Sequence, residues 1–193
     1  MRVIGLLLAA GSARRFGADK LLARLPGGDT VLATSAGRLV AAVDAALAVV
    51  PAADHARARL LDELGLPWVV CPDAAAGMAH SLRAGVAATR DADAWLVALA
   101  DMPFVAVDTL QRLVAALRAG ASIALPSHAG RDGHPVGFAA SQRDALLALG
   151  GDRGARALIE RAGSAVRRIA VEDAGVLRDI DRPQDLPEGS EQG

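Results

Sequence analysis

Apolar and polar positions fall along the chain in blocks whose period changes. Val3–Leu8 is a continuous apolar run that stops at small residues. A run of this length is expected of a strand covered on both faces by helices. Ala45–Val50, Trp68–Cys71 and Ala94–Leu99 repeat the pattern, and Ile123–Pro126 is a shorter case. Between these runs the apolar residues take helical spacing. Thr30, after the turn signal Pro26-Gly27-Gly28-Asp29, is placed to cap a helix carrying Val31, Leu32, Leu39 and Val40. Further helices are predicted over His55–Leu64, over Met78–Thr89, and over Asp108–Ala119 with Leu110, Leu113, Val114 and Leu117 on one face. The last third is less regular. Residues 127–137 read as a polar, glycine-rich loop, Phe138 as the start of a strand or helix, and 141–149 and 154–162 as helices. Val166–Val171 and Val176–Ile180 read as the last strands. Strands alternating with helices predict an α/β fold with a mostly parallel central sheet and right-handed crossovers. No linker or repeat divides the chain, so a single domain over 1–186 is expected, with a polar, disordered tail at 187–193.

Composition removes several classes of function. Of 193 residues, 52% are hydrophobic but only 3% aromatic, with no Tyr, so the core must be built from Ala, Leu and Val. Lys and Arg number 21 against 22 Asp and Glu. That balance, with few aromatic rings for base stacking, argues against nucleic acid as a partner. One cysteine, Cys71, excludes an intrachain disulfide and a multi-cysteine metal site, and a buried thiol on a strand is the expectation for it. No segment is long and apolar enough to span a bilayer, and the N-terminal run lacks the features of a signal peptide. A cytoplasmic protein with no membrane association is expected.

Five stretches carry candidate chemistry. The first runs from Ala9 and Ala10 through Gly11, Ser12 and Arg15 to Lys20. It leaves the carboxyl end of the first strand, where open parallel sheets bind ligands. Gly11 permits close backbone approach, Arg15 offers a forked donor and Lys20 a mobile point charge. It is neither a Walker loop nor a dinucleotide turn. The second is Asp101, directly after a buried strand, where a carboxylate can hold Mg²⁺ or can simply cap the turn before Pro103. In the third, Asp179 and Asp181 share a face if their segment is a strand, and one or both can join Asp101 at a metal. Asp181 can instead cap a short helix beginning at Arg182 and Pro183, with Asp185 structural or solvated. In the fourth, Gly77–Gly85 opens a helix whose free N–H groups favour anions or polar base edges. There Ser81 can bond a nucleobase or pack, Met78 and Leu82 are expected in the core, and His80 and Arg83 are expected to be exposed. The fifth, Gly130–Val136, carries Arg131 and His134 with glycines that suit an active-site rim, and alone it reads as a loop.

Singly these signals are weak; their order is specific. Leu8-Ala9-Ala10-Gly11-x-x-x-Arg15-Phe16-Gly17-x-x-Lys20-Leu21-Leu22 resembles the signature loop of the nucleotidyltransferases that activate sugars and cofactors. Ala100-Asp101-Met102-Pro103-Phe104 resembles their first metal aspartate, and Asp179-Ile180-Asp181-x-Pro183-x-Asp185-Leu186 their C-terminal metal motif. The segments Pro72–Gly85, Gly130–Val136 and Gly151–Arg156 are most similar to the molybdenum cofactor cytidylyltransferase family, within the MobA-like NTP transferase superfamily. The likeness spans residues 3–186. It departs at Ala100 and Met102, where the family often has Gly and Gln, and at His80. Asp101-Met102-Pro103-Phe104 is closer to the guanylyltransferases of the same cofactor pathway, and His80 stands where the cytidylyltransferases often have Ser.

The resemblance implies a Rossmann-like three-layer α/β/α nucleotidyltransferase fold. It implies transfer of CMP from CTP to the phosphate of molybdenum–molybdopterin, with release of pyrophosphate. Arg15, Lys20 and Asp101 would be catalytic. Ala9, Ala10, Gly11, Ser12, Arg15, Lys20, Gly77, Ser81 and Asp101 would bind the nucleotide. Asp101 and Asp181 would hold Mg²⁺, with Mn²⁺ as the alternative, and Arg131 and His134 would face the acceptor. Ser81 and its neighbours favour CTP over GTP. A molybdoenzyme or its chaperone would receive the product. A transferase for GTP or another phosphate acceptor, and a non-catalytic cofactor carrier, are the competing readings.

Overall fold

A computed structural model describes residues 1–11, 16–53, 55–150 and 154–190. Among the described residues, eight strands form one sheet: β1 (Val3–Leu8), β2 (Ala45–Val50), β3 (Trp68–Val70), β4 (Ala94–Leu99), β5 (Ile123–His128), β6 (Arg131–Asp132), β7 (Val136–Ala139) and β8 (Arg167–Ala170). Their order is β3-β2-β1-β4-β7-β5-β6, with β8 also pairing β5. The β3–β2, β2–β1, β1–β4 and β5–β8 pairs are parallel. Only β7 and the short β6 run against the rest.

Among the described residues, six α-helices cover the sheet: α1 (Val31–Val40), α2 (Ala56–Glu63), α3 (Met78–Ala88), α4 (Val107–Arg118), α5 (Arg143–Leu147) and α6 (Arg156–Ala162). The alternation of β1 divides the core in two. Val3, Leu7 and Ala9 pack with Leu39 of α1, Leu61 of α2 and Leu113 of α4 on one face. Ile4, Leu6 and Leu8 pack with Leu82 of α3, Leu146 of α5 and Leu158 of α6 on the other. The result is the three-layer, mostly parallel α/β/α arrangement expected from the sequence. Local signals hold as well. Thr30 accepts the Ala33 N–H at 3.1 Å, a cap that contributes about 1 kcal/mol.

Four expectations are corrected. The glycine-rich stretch 127–137 is a hairpin, because Ala129 and Gly130 both take positive φ (48° and 76°) and join β5 to β6 in two residues. Phe138 then lies inside β7. Val176–Ile180 is not a strand: Ala174–Leu177 forms a 3₁₀ turn, and the extended Ile180 N–H bonds the Asp101 carbonyl at 2.9 Å, beyond the end of β4. Met78 is 43% exposed rather than core, and His80 is half-buried rather than exposed. Cys71 is buried as expected, just past the end of β3. Residues 191–193 of the expected tail lie outside the described part.

Candidate active site at the carboxyl edge of the sheet

The carboxyl ends of β1 and β4 meet the C-terminal segment at one point. Lys20 reaches it from the first turn after the β1 loop. Its side chain is 10% exposed, and Nζ lies 2.8 Å from Asp101 Oδ2 and 2.9 Å from Asp181 Oδ1. Burial by itself would lower the Lys20 pKa; the charges and hydrogen bonds of Asp101 and Asp181 outweigh it and hold the pKa above its ordinary value. The ammonium is therefore protonated at neutral pH. Asp179 completes an acidic triad: Asp101, Asp179 and Asp181 each offer an oxygen, all within 4.8 Å of one another.

Main-chain contacts place these carboxylates. The Ser35 hydroxyl on α1 donates to the Ala100 carbonyl at 2.9 Å, and Ile180 clamps the Asp101 carbonyl, so Asp179 and Asp181 flank the β4 end. Asp173 anchors the segment upstream. Its carboxylate accepts from the Ala106 N–H, the Thr109 hydroxyl and the Gly175 N–H at 2.8, 2.8 and 2.9 Å. Gly175 lies so close to the Phe104 carbonyl that a Cβ there would collide with it. Downstream, Asp185 accepts from the Asp181 and Arg182 N–H groups at 2.9 and 2.7 Å. Asp185 is thus structural, and it caps this turn in place of Asp181.

His134 lies near Asp101 and Asp179. Its N–H donates to the Val176 carbonyl at 2.9 Å, an approach open only to glycine at position 133, where a Cβ would stand 2.5 Å from the same oxygen. Burial holds the His134 pKa below its ordinary value, although Asp101 and Asp179 oppose the shift. Its Nδ1 is buried without a hydrogen-bond partner among the described residues.

Two cavities flank the acidic centre. One, about 560 Å³, lies at the ends of the first three strands, between Ala10 and Gly11, Asp19, Pro51 and Arg57, and Pro72–Ala75. The other, about 590 Å³, lies on the α3 and α6 face. It has an apolar floor that includes Leu8, Leu99 and Phe138, and a charged rim of Asp132, Arg156, Glu160 and Arg168, with His134 at its edge. Arg168 Nε bonds Asp132 at 3.0 Å.

Lys20, Asp101 and Asp181 thus converge as the sequence implied, with Asp179 beside them. Ala10 and Gly11 line the first cavity, Ala9 is buried beneath it, and Gly77 (φ 127°) opens α3 nearby. Ser81 is 4% exposed on the face of α3 turned to the sheet. His134 is near the centre, whereas Arg131 is exposed on the hairpin, and its neighbour Asp132 lines the second cavity instead. Ser12, Arg15 and the Gly151–Arg153 part of the Gly151–Arg156 segment lie outside the described residues. Sequence reasoning missed Arg57, which is 4% exposed and bonds both the beginning and the end of the β1 loop. It also missed Asp173 and Asp132; only their distant partners reveal these residues.

The geometry joins a glycine-containing loop, a buried lysine and three carboxylates at a parallel sheet edge. Residues 5–166 match the family model described as the MobA-like NTP transferase domain. The chain belongs to this family. It is 34% identical over 197 residues to the purine catabolism protein PucB of Bacillus subtilis, covering 95% of this chain and 93% of that one. It is 31% identical over 192 residues to nicotine blue oxidoreductase of Paenarthrobacter nicotinovorans, covering 95% and 94%. Among solved structures, Rv0371c of Mycobacterium tuberculosis superimposes with a TM-score of 0.80 at 29% identity, covering 96% and 95% of the two chains. That protein has also been crystallised in complex with manganese, where the TM-score is 0.76 at 28% identity, covering 96% of each chain. Family and fold together make the chain a nucleotidyltransferase of the MobA-like type. Among the described residues, no helix is long and apolar enough to cross a membrane.

Proposed function

We propose that the protein transfers CMP from CTP to the terminal phosphate of molybdenum-bound molybdopterin and releases pyrophosphate. The observation that carries the transferase chemistry is the contact of one buried ammonium, Lys20, with Asp101 and Asp181 at the β1 and β4 ends. The choice of CTP and of the pterin acceptor rests on the sequence resemblance. The 590 Å³ cavity, apolar below and charged at its rim, is compatible with a flat acceptor bearing polar edges.

A divalent cation fits the residues present. Three carboxylates converge, and Asp101 Oδ1 is buried without a hydrogen-bond partner among the described residues. Asp101 and Asp181, with Asp179 beside them, would hold Mg²⁺ or Mn²⁺, which when bound supplies charge neutralisation at phosphate oxygens. The acceptor phosphate has a second pKa of about 6 and is mostly ionised at neutral pH, so the attacking oxygen needs no general base. It bonds to the α-phosphorus of CTP in line. The bond from that phosphorus to the oxygen bridging toward the β-phosphorus breaks, and pyrophosphate departs with that oxygen. The chain's contribution is positioning and electrostatics. Lys20 and Arg15 offset the triphosphate charge, and Ala9, Ala10, Gly11 and Ser12 lend backbone to the nucleotide. Gly77 and Ser81 sit on the cytosine side, and His134, with Arg131 farther out, faces the acceptor. The reaction would take place in the cytoplasm, and a molybdoenzyme or its chaperone would take the product.

The test is pyrophosphate release with authentic molybdenum cofactor, CTP against GTP. Faster release with CTP is expected. The Asp101–Phe104 motif, closer to guanylyltransferases, makes faster release with GTP the specific alternative. Release only with another phosphate acceptor reassigns the substrate. Tight cofactor binding with no metal-dependent release makes the protein a carrier.

A further inference from the structure

The β1 loop has a second buried cation, which belongs to neither the acidic triad nor the motifs read from sequence. Arg57 lies in the first turn of α2. Its Nε and Nη2 grip Asp19 at 2.7 and 2.8 Å, and its Nη1 donates to the carbonyls of Ala9 and Gly11 at 2.6 and 2.8 Å. His55 caps the same helix by accepting the Arg57 N–H at 3.2 Å on Nδ1. Asp19 in turn accepts the Leu21 N–H at 3.1 Å and starts the turn that carries Lys20. One guanidinium therefore ties the two ends of the loop together and leads directly to the lysine of the acidic centre.

We infer that Arg57 is a positioning residue that presets the backbone donors of the nucleotide loop. The peptide geometry supplies the reason. Across a trans peptide the carbonyl and the following N–H point in opposite directions. Holding the Ala9 carbonyl toward Arg57 turns the Ala10 N–H away from it. Ala9 is fixed on its other side too, since its own N–H donates to the Val49 carbonyl at 2.9 Å. Ala10, Gly11, Asp19 and Arg57 all border the 560 Å³ cavity. Four of the five N–H donors of Arg57 are engaged by protein acceptors, so its main effect on an anion in that cavity passes through the loop. Joining the loop ends beforehand removes part of the ordering cost that an anionic ligand would otherwise meet on binding. The planar fork explains arginine here: a lysine could reach one of these acceptors but could not hold the carboxylate and both carbonyls at once.

This inference rests on the nucleotidyl-transfer reading, and the experiment separates the two. CTP affinity is measured by calorimetry for wild type, Arg57→Lys, Arg57→Ala and Asp19→Asn, with folding checked by circular dichroism. Loss of charged hydrogen bonds of this kind corresponds to about 10- to 100-fold weaker CTP binding in Arg57→Ala. Arg57→Lys should recover only a small part, and Asp19→Asn should weaken CTP binding less than Arg57→Ala does. The KM for the phosphate acceptor should stay near wild type while that for CTP rises, and guanidinium ion at millimolar concentration should restore binding to Arg57→Ala. A folded Arg57→Lys or Asp19→Asn that binds CTP as wild type does overturns the inference alone. Wild-type protein that binds no nucleoside triphosphate overturns the transfer reading together with it.

Discussion

Lys20 and Arg57 are both buried cations facing carboxylates, and both act on the same loop, yet their surroundings differ in kind. Arg57 spends four of its five donors on acceptors of the fold: Asp19 twice, and two main-chain carbonyls. Lys20 meets carboxylates that are not spent on it alone. Asp101 keeps one buried oxygen without a partner among the described residues, and Asp179 stands within reach of the same point. The fold gives Arg57 one geometry. Around Lys20 it gathers more negative charge than one ammonium neutralises, which is the condition for taking up a second cation. Cation burial alone therefore does not mark function; what separates the two is how much acceptor capacity remains.

The sharpest way to break this contrast is Asp101→Asn. Turnover is expected to fall about 10³-fold while the melting temperature barely moves, as followed by pyrophosphate release and calorimetry. Near wild-type turnover would take Asp101 out of the chemistry. Arg57→Ala should do the opposite, losing about 3 kcal/mol in urea unfolding because it leaves Asp19 and two carbonyls unpaired in a buried place. Added Mg²⁺ should not restore that loss. Lys20→Ala should lower turnover about 10²-fold and leave three carboxylates repelling one another. Its lost stability should return when Mg²⁺ is titrated in, and a deficit insensitive to Mg²⁺ would make Lys20 a second structural strut. The smallest effect is a pH dependence. The Lys20 pKa is raised above 10.5 in the folded chain, so the stability it contributes is fully present below about pH 10.4 and is lost as pH rises through the folded value. Denaturation curves between about pH 10 and 12 should show a steeper alkaline decline for wild type than for Lys20→Met.

Much of this contrast was legible in the chain, but only one side of it. β1, β2 and β4 are apolar runs bounded by turn signals, and their limits follow from residue type. Lys20, Asp101 and Asp181 lie at strand ends or in an ordered set of motifs, so their convergence could be inferred. Arg57 carries no such mark. In Ala56-Arg57-Ala58-Arg59 its neighbour has the same chemistry, and the partners that hold Arg57, Asp19 and the Ala9 and Gly11 carbonyls, lie far away in sequence. The apparent strand at Val176–Ile180 fails for a related reason. Val176 and Ile180 do enter the core, but through a 3₁₀ turn and a bond to the Asp101 carbonyl, and apolar spacing alone cannot distinguish that from a ladder. The Ala129–Gly130 turn was hidden because alanine rarely takes positive φ.

The most direct test of the acidic centre compares wild-type protein with Asp101→Asn for pyrophosphate release from CTP, with molybdenum cofactor present and Mg²⁺ titrated. The expected result is release by wild type that rises with Mg²⁺, and at most a thousandth of that rate in the variant at every Mg²⁺ concentration. Release by the variant at the wild-type rate, with the same dependence on Mg²⁺, would contradict the assignment of Lys20, Asp101 and Asp181 as the place where the nucleotide reacts.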